Sequence, residues 1–136
     1  MFSHPAVIVH GIDHVRLALR PGRKVVLVSS HGAALYAGTG WWRALMAIGR
    51  AEFPATPMTD LLDCAGAPGR AVEALRAGQA AIRLDASVPA WPAVAAIATA
   101  LGARVFPHRP PAIDLGQGDA WRLDAWLTGD TDRNLR

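Results

Sequence analysis

Ionisable side chains follow two apolar runs of this sequence, at the points where buried strands would end. Asp63 and Cys64 come directly after MTDLL, and Asp85 comes after AAIRL. A carboxylate can take up or release a proton, and a thiol near a helix start can become nucleophilic, with His31 or His108 as the base. We therefore predict catalytic side chains at four positions: His31, Asp63, Cys64 and Asp85.

These positions also have ordinary structural interpretations. A lone cysteine at the end of an apolar strand is often a small buried packing residue, and this applies to Cys64. Aspartates that follow strands often cap the next helix, so Asp63 and Asp85 could be caps. On neighbouring strands, the same two carboxylates could instead form an acid/base pair. The residue types leave these interpretations open.

The segment 29–34, SSHGAA, has the general form of a loop that binds an anion. Small residues let a ligand approach closely, and backbone N–H groups at a helix start can hold negative charge. The glycine patterns of nucleotide-binding loops are missing from it. We predict a small anionic or polar ligand and name no cofactor. The predicted ligand-binding residues are Ser29, Ser30, Gly32, His10, His108 and Arg109.

Three histidines, His10, His31 and His108, fall among these candidate residues. Their separations match no compact set of metal ligands, such as two histidines one helical turn apart. We therefore predict no metal site in this protein.

A short internal repeat indicates how the candidate residues could meet. Residues 18–23 (ALRPGR) precede the apolar run KVVLVS, and residues 74–79 (ALRAGQ) precede AAIRLD. A weaker copy, residues 100–102 (ALG), precedes ARVF. In each copy a helix pattern stops at a glycine and a strand pattern begins. Strands that alternate with helices in this way run parallel, so their carboxyl ends lie at one edge of the sheet.

The pattern predicts an α/β fold, with one three-layer domain and a mainly parallel sheet of four or five strands in Rossmann- or flavodoxin-like layering. Predicted strands cover residues 6–10, 24–29, 58–64, 80–85 and 103–107, and predicted helices cover 12–20, 40–52, 68–77 and 90–101. Residues 14–29 also fit a hairpin that turns at Pro21-Gly22, because HVRLAL alternates as a strand does. We favour the helix over 12–20 because its ending matches the ALRAG copy.

The last part of the chain has a different composition. Residues 107–119 are rich in Pro and Gly, which argues against a regular element there. After them, DAWRLDAWLTG fits a short amphipathic helix with Asp119 as its cap, and residues 130–136 are typical of a disordered end. We therefore divide the chain into an α/β domain, residues 1–113, and a C-terminal extension, residues 114–136.

The stretch LLDCAGAPGRAVEALRAGQAAIRLD, residues 61–85, resembles one strand-helix unit of the (βα)-barrel enzymes. A strand-end acid, a glycine turn and an ALxAG helix end recur in such units. The resemblance implies parallel strands packed against helices. It carries over no catalytic residue, because barrel families differ in where their acids and lysines stand. The chain holds about half of the strand-helix units of a closed barrel.

Size and composition limit the class of protein. The chain has 136 residues, 51% of them hydrophobic and 18% charged, so we expect one domain with a well-filled core. No stretch reaches the roughly 20 apolar residues of a membrane span, and a single cysteine fits a reducing compartment. We predict a cytoplasmic protein without membrane contact. The net charge of +3 is spread along the chain, which argues against a nucleic acid partner.

Five tryptophans suggest a second kind of function. Trp41 and Trp42 are adjacent, so on a helix they point about 100 degrees apart and cannot both face the sheet. Aromatic side chains left outside a core often mark a protein interface, and we predict a homodimer. Our leading interpretation is a protein that binds a small molecule at the strand ends, with acid/base chemistry there. The alternative is a non-catalytic assembly or regulatory module that acts through the tryptophans and the DAWRLDAWL segment.

Overall fold

A computed structural model describes residues 2–129 of the chain, in six strands and six helices. The strands are β1 (Ala6–Ile8), β2 (Val25–Val28), β3 (Met58–Asp63), β4 (Ala81–Arg83), β5 (Arg104–Phe106) and β6 (Ala112–Asp114). The helices are α1 (Ile12–Leu19), α2 (Ala33–Tyr36), α3 (Thr39–Glu52), α4 (Pro68–Arg76), α5 (Trp91–Ala100) and α6 (Leu123–Leu127). The predicted disordered end, residues 130–136, lies outside the described residues.

The strands form one parallel sheet in the order β5-β4-β3-β2-β1-β6. In its register Ala6 lies opposite Val26 on one side and Ala112 on the other, and Ile82 lies opposite Val105. The predicted α/β class with a parallel sheet is confirmed and is consistent with a three-layer Rossmann- or flavodoxin-like fold. The sheet has six strands rather than four or five. The sequence missed β6 because its three residues directly follow Pro110-Pro111.

Within this sheet, the chain divides into two compact units. The first unit contains the residues up to Val28, Leu45–Thr59 and the residues from Pro110 onward. The second unit contains Ser29–Ala44 and Asp60–Arg109. The predicted boundary between residues 113 and 114 falls inside β6, which pairs with β1 in the first unit.

The helix α1 belongs to the first unit and decides between the two interpretations of residues 14–29. It buries Val15, Ala18 and Leu19 completely, so the helical pattern is correct and the hairpin is wrong. The helix ends before Gly22, whose φ of 75° lies in the left-handed region that glycine adopts without strain.

Helices α1 and α3 are also joined by an ion pair within the first unit. The Arg16 guanidinium donates from Nε to Glu52 Oε1 over 2.8 Å and from Nη2 to Oε2 over 2.7 Å. Hydrogen bonds from Arg16 hold the pKa of the Glu52 carboxyl below its usual value. This forked ion pair links the two helices at the surface of the unit.

In the second unit, the adjacent tryptophans take different environments, as their helical spacing predicts. Trp42 is fully buried, and its Nε1 donates to Asp60 Oδ2 over 2.7 Å, whereas Trp41 is 37% exposed. The same Asp60 oxygen accepts from Gln79 Nε2 over 2.7 Å. The buried carboxylate therefore ties α3, β3 and the turn before β4 together.

The described part of the C-terminal segment contains the short helix α6, where the sequence predicted a short helix. Trp126 is 1% exposed and its Nε1 donates to the Ala6 carbonyl over 2.8 Å, which holds this helix against β1. Asp119 precedes the turn before α6, but its side chain does not cap it. Its Oδ2 accepts from the Asp114 N–H over 3.2 Å instead. Among residues 2–129, no helix has both the length and the apolar character to cross a membrane.

Candidate functional site

The carboxylate of Asp63, at the carboxyl end of β3, organises a charged cluster in the second unit. The residue is completely buried. Its Oδ1 accepts from the Gly32 N–H over 3.0 Å and from the Ala65 N–H over 2.8 Å. Its Oδ2 accepts from Arg109 Nη1 over 2.6 Å. Both oxygens of this buried carboxylate therefore accept hydrogen bonds from strong donors.

Arg109 reaches this carboxylate from the segment after β5 and also fixes the serine loop. Its Nη2 donates to the Ser29 carbonyl over 2.9 Å. The Ser29 hydroxyl accepts from the Asp63 N–H over 2.9 Å and donates to the Ser30 carbonyl over 3.0 Å. Ser29 is fully buried, so it supports the cluster from inside and does not meet solvent.

Arg83 also belongs to the cluster, although it is not among the residues predicted from the sequence. Its Nη1 lies 2.6 Å from Asp85 Oδ1 and 3.6 Å from Asp63 Oδ1, and its Nε donates to the Pro107 carbonyl over 3.3 Å. The signal was present in the sequence, because an arginine inside the apolar run AAIRL needs a partner when it is buried.

The loop of residues 29–34, which we predicted to bind an anion, already binds the Asp63 carboxylate of its own chain. The N–H groups of Gly32 and Ala65 both donate to Asp63, and the Ala33 N–H donates to the Ser30 carbonyl. Gly32 has a φ of 69°, a left-handed conformation that turns its N–H toward the carboxylate. The predicted cradle is therefore filled by Asp63, and a ligand would need other donors.

Cys64 does not have the environment of a nucleophile. The residue is fully buried, with Sγ 3.9 Å from the Leu62 carbonyl oxygen. Burial raises the pKa of its thiol to about 12, and the negative charges of Asp63 and Glu73 add to this effect. A thiol in this state is protonated and inaccessible at neutral pH, so we leave Cys64 out of the proposed site.

The remaining predicted residues of the second unit carry polar groups that reach solvent. His31 and His108 are exposed, and the Asp85 side chain is 36% exposed. The Ser30 hydroxyl is partly exposed and forms a hydrogen bond with the Tyr36 hydroxyl. These groups are the ones that a bound molecule could reach.

The turn after Asp63 contains a strained residue. Ala65 has a φ of 48°, the left-handed conformation that costs a residue with a Cβ about 1 kcal/mol or more. Its N–H donates to Asp63 and its carbonyl accepts from the Asp85 N–H over 2.8 Å. These two hydrogen bonds, with Asp63 and Asp85, therefore hold Ala65 in its strained conformation.

His10 has its partners in the first unit, at the carboxyl ends of β1 and β6. The Nε2 atom of the His10 ring lies 2.7 Å from Asp114 Oδ1. The backbone N–H of His10 donates to His14 Nδ1 over 3.0 Å. A Cβ at Gly116 would lie 2.6 Å from His10 Cδ2, so a larger residue at this position would displace the His10 ring. The structure therefore describes His10 as part of a His10–Asp114 pair in the first unit.

The fold and the cluster define an α/β protein with a parallel sheet and buried charged residues at its strand ends. Within residues 2–129, no three His, Cys, Asp or Glu side chains are arranged to hold a metal ion. The sequence matches no known family model and no curated protein.

Proposed function

We propose that the second unit binds a small anionic or polar molecule at the carboxyl ends of β3 and β4. The observation that carries this proposal is the buried cluster in which two arginines converge on Asp63, with Nη1 of Arg109 at 2.6 Å and Nη1 of Arg83 at 3.6 Å. Removing charges from water is unfavourable, and well-packed apolar residues often stabilise a core better. A buried charged cluster therefore has a poor explanation in stability alone. At the strand ends of a parallel sheet, such clusters are typical of functional sites.

The two arginines also indicate that the ligand carries a negatively charged group. Each guanidinium carries five N–H donors, and Asp63, Asp85 and the carbonyl oxygens use only part of them. The side chains are 15% exposed for Arg83 and 23% exposed for Arg109, so a ligand can reach them. A carboxylate or phosphate group of the ligand would accept from the N–H groups that remain.

The exposed polar groups supply any proton transfer in this proposal. Asp63 has both oxygens occupied by donors, so its role is to position Arg109 and the loop of residues 29–32. His31 and Asp85 reach solvent and are the groups available as base and acid. The strained Ala65 lies between the two acids, and such strain is common at functional sites.

A thermal-shift screen tests this proposal. We would screen carboxylic acids, sugar phosphates and amino acids against the wild type, His31→Ala, Asp85→Asn and the control Asp124→Asn, which changes an exposed aspartate of the first unit. We expect a compound that stabilises the wild type and the control by about 2.7 kcal/mol at 100 times its dissociation constant, and stabilises the other two variants less. Equal stabilisation of all four proteins, or none, would contradict the proposal.

A second candidate function is assembly through an exposed tryptophan. Trp121 is 82% exposed in the C-terminal segment, and large aromatic side chains are enriched at protein interfaces. This observation favours a homodimer that buries Trp121. Light scattering after size exclusion should give a dimer for the wild type and a monomer for Trp121→Glu, whereas a monomeric wild type at micromolar concentration would remove this candidate.

A further inference from the structure

A cavity of about 480 Å³ lies in the first unit, at the amino ends of its strands. Pro5, Lys24 and Pro57 line it, and each directly precedes a strand: β1, β2 and β3 in turn. His4, Arg23 and Leu127 complete its main walls. A volume of this size is typical of sites that bind small molecules.

Among the described residues, the lining of this cavity is basic and contains no acidic side chain. It includes Arg23, Lys24 and His4. Within residues 2–129, no carboxylate lies within 4.0 Å of the Arg23 or Lys24 side chain. Arg16 and Arg109, by contrast, are both paired with acids. The cavity therefore presents two adjacent positive charges that have no negative partner in the described chain.

The internal repeat shows that the fold itself does not require these two charges. Residues 18–23 and 74–79 form the same turn from a helix into a strand, and both carry an arginine at the third position, Arg20 and Arg76. A basic residue there can stabilise the negative end of a helix in either copy. The positions of Arg23 and Lys24, however, are taken in the second copy by Gln79, which is 1% exposed, and Ala80.

We propose that this cavity binds a small phosphorylated molecule through Arg23 and Lys24. A guanidinium donates two parallel hydrogen bonds to phosphate oxygens, and an ammonium adds a compact charge. Ser3 and His4 also line this cavity, and a serine hydroxyl and a histidine ring can each donate to further oxygens. Gly22 also lines the cavity, and a Cβ there would meet no atom within 4 Å, so the turn leaves space for a ligand.

Calorimetric titration with inorganic pyrophosphate at constant ionic strength tests the proposal on the full chain. We expect saturable binding to the wild type and at least about a tenfold loss of affinity in the double variant Arg23→Gln/Lys24→Gln. The control double variant Arg70→Gln/Arg76→Gln removes the same charge from exposed positions of α4 and should bind as the wild type does.

Two further measurements locate the ligand and identify its class. Pyrophosphate should shift the backbone amide resonances of Gly22 and Lys24 and leave that of His31 unchanged. The His31→Ala and Asp85→Asn variants should keep full affinity, which separates this site from the one proposed in the second unit. Equal weakening in both double variants, no saturable binding, or much tighter binding of a single-stranded oligonucleotide through the same residues would each overturn the proposal.

Discussion

Asp63 is a fully buried carboxylate whose two oxygens accept hydrogen bonds from Gly32, Ala65 and Arg109. Its position after an apolar run predicted a carboxylate at a strand end, and the structure has it there. Its partners could not be predicted, because Arg109 comes from 46 residues away and no local pattern specifies that contact. The sequence therefore located the cluster but suggested a carboxylate that faces a ligand, whereas the chain's own donors surround it.

The first prediction concerns this carboxylate. Asp63→Asn should lower the free energy of unfolding by about 3 kcal/mol, because the asparagine side chain carries no charge and leaves the partly buried Arg109 guanidinium without its charge partner. Urea denaturation followed by circular dichroism measures the loss. The exposed Asp124→Asn is the control and should change stability by less than about 0.5 kcal/mol. Similar values for the two variants would show that the pair with Arg109 contributes little.

The second prediction concerns the buried thiol. Cys64 should resist alkylation by iodoacetamide in the native state at neutral pH and react fully once the chain is unfolded. Because its folded pKa is about 12 and its ordinary value is 9.0, the unfolded chain loses the proton first as the pH rises. The thiol's contribution to stability is therefore complete below pH 9 and falls by about 1.4 kcal/mol per pH unit above it.

Cys64→Ala is the control for this pH dependence, since it removes the ionisable group. Its stability should fall less steeply between pH 9 and 12 than that of the wild type. Rapid alkylation of the native protein at pH 7 would contradict both the burial and the raised pKa.

At the scale of the elements, periodicity and glycine position predicted the four longer helices to within one residue at each end. Helix α4, predicted over 68–77, covers Pro68–Arg76, because apolar spacing and a terminal glycine are local signals. The strand β6 has no such signal. Its three residues become a strand only by pairing with β1, and that pairing depends on the rest of the fold.

The third prediction tests the packing of α1 against α3 in the first unit. A Cβ at Gly49 would lie 2.8 Å from Val15 Cγ1 and 3.0 Å from Leu19 Cδ1, and both neighbours are fully buried. Gly49→Ala should therefore destabilise the protein by about 1 kcal/mol, as overpacking outweighs the gain in helix propensity. Gly40→Ala in the same helix meets no atom within 4 Å and should leave stability unchanged or slightly raised. If the urea midpoints of the two variants shifted by the same amount, this account would be wrong.

At the scale of the molecule, contacts between distant parts of the sequence complete the first unit. Trp126 donates to the Ala6 carbonyl across 120 residues, and β6 extends the sheet beyond β1. The repeated strand-helix pattern predicted the α/β class, since such units allow few other arrangements. The strand order could not be predicted in the same way, because nothing local to residues 112–114 specifies β1 as their neighbour.

The fourth prediction compares two tryptophans of this C-terminal segment. Trp126→Phe removes the hydrogen bond to Ala6 in a buried position and should lower stability by about 1 to 3 kcal/mol. Trp121→Phe changes a side chain that is 82% exposed, so stability should change by less than about 0.5 kcal/mol. Thermal melts at several protein concentrations measure both effects and detect any contribution from association. If Trp121→Phe lost more stability than Trp126→Phe, an interface at Trp121 would contribute more than the buried hydrogen bond, and this prediction would be wrong.

The pairing of β1 with β6 also has a consequence for synthesis on the ribosome. One edge of β1 stays unpaired until residues 112–114 have been synthesised, which is more than a hundred residues later. Until then the apolar strand Ala6–Ile8 presents unpaired N–H and carbonyl groups, the kind of edge on which chains aggregate. A nascent chain stalled before residue 112 should therefore require chaperone protection that the finished chain does not.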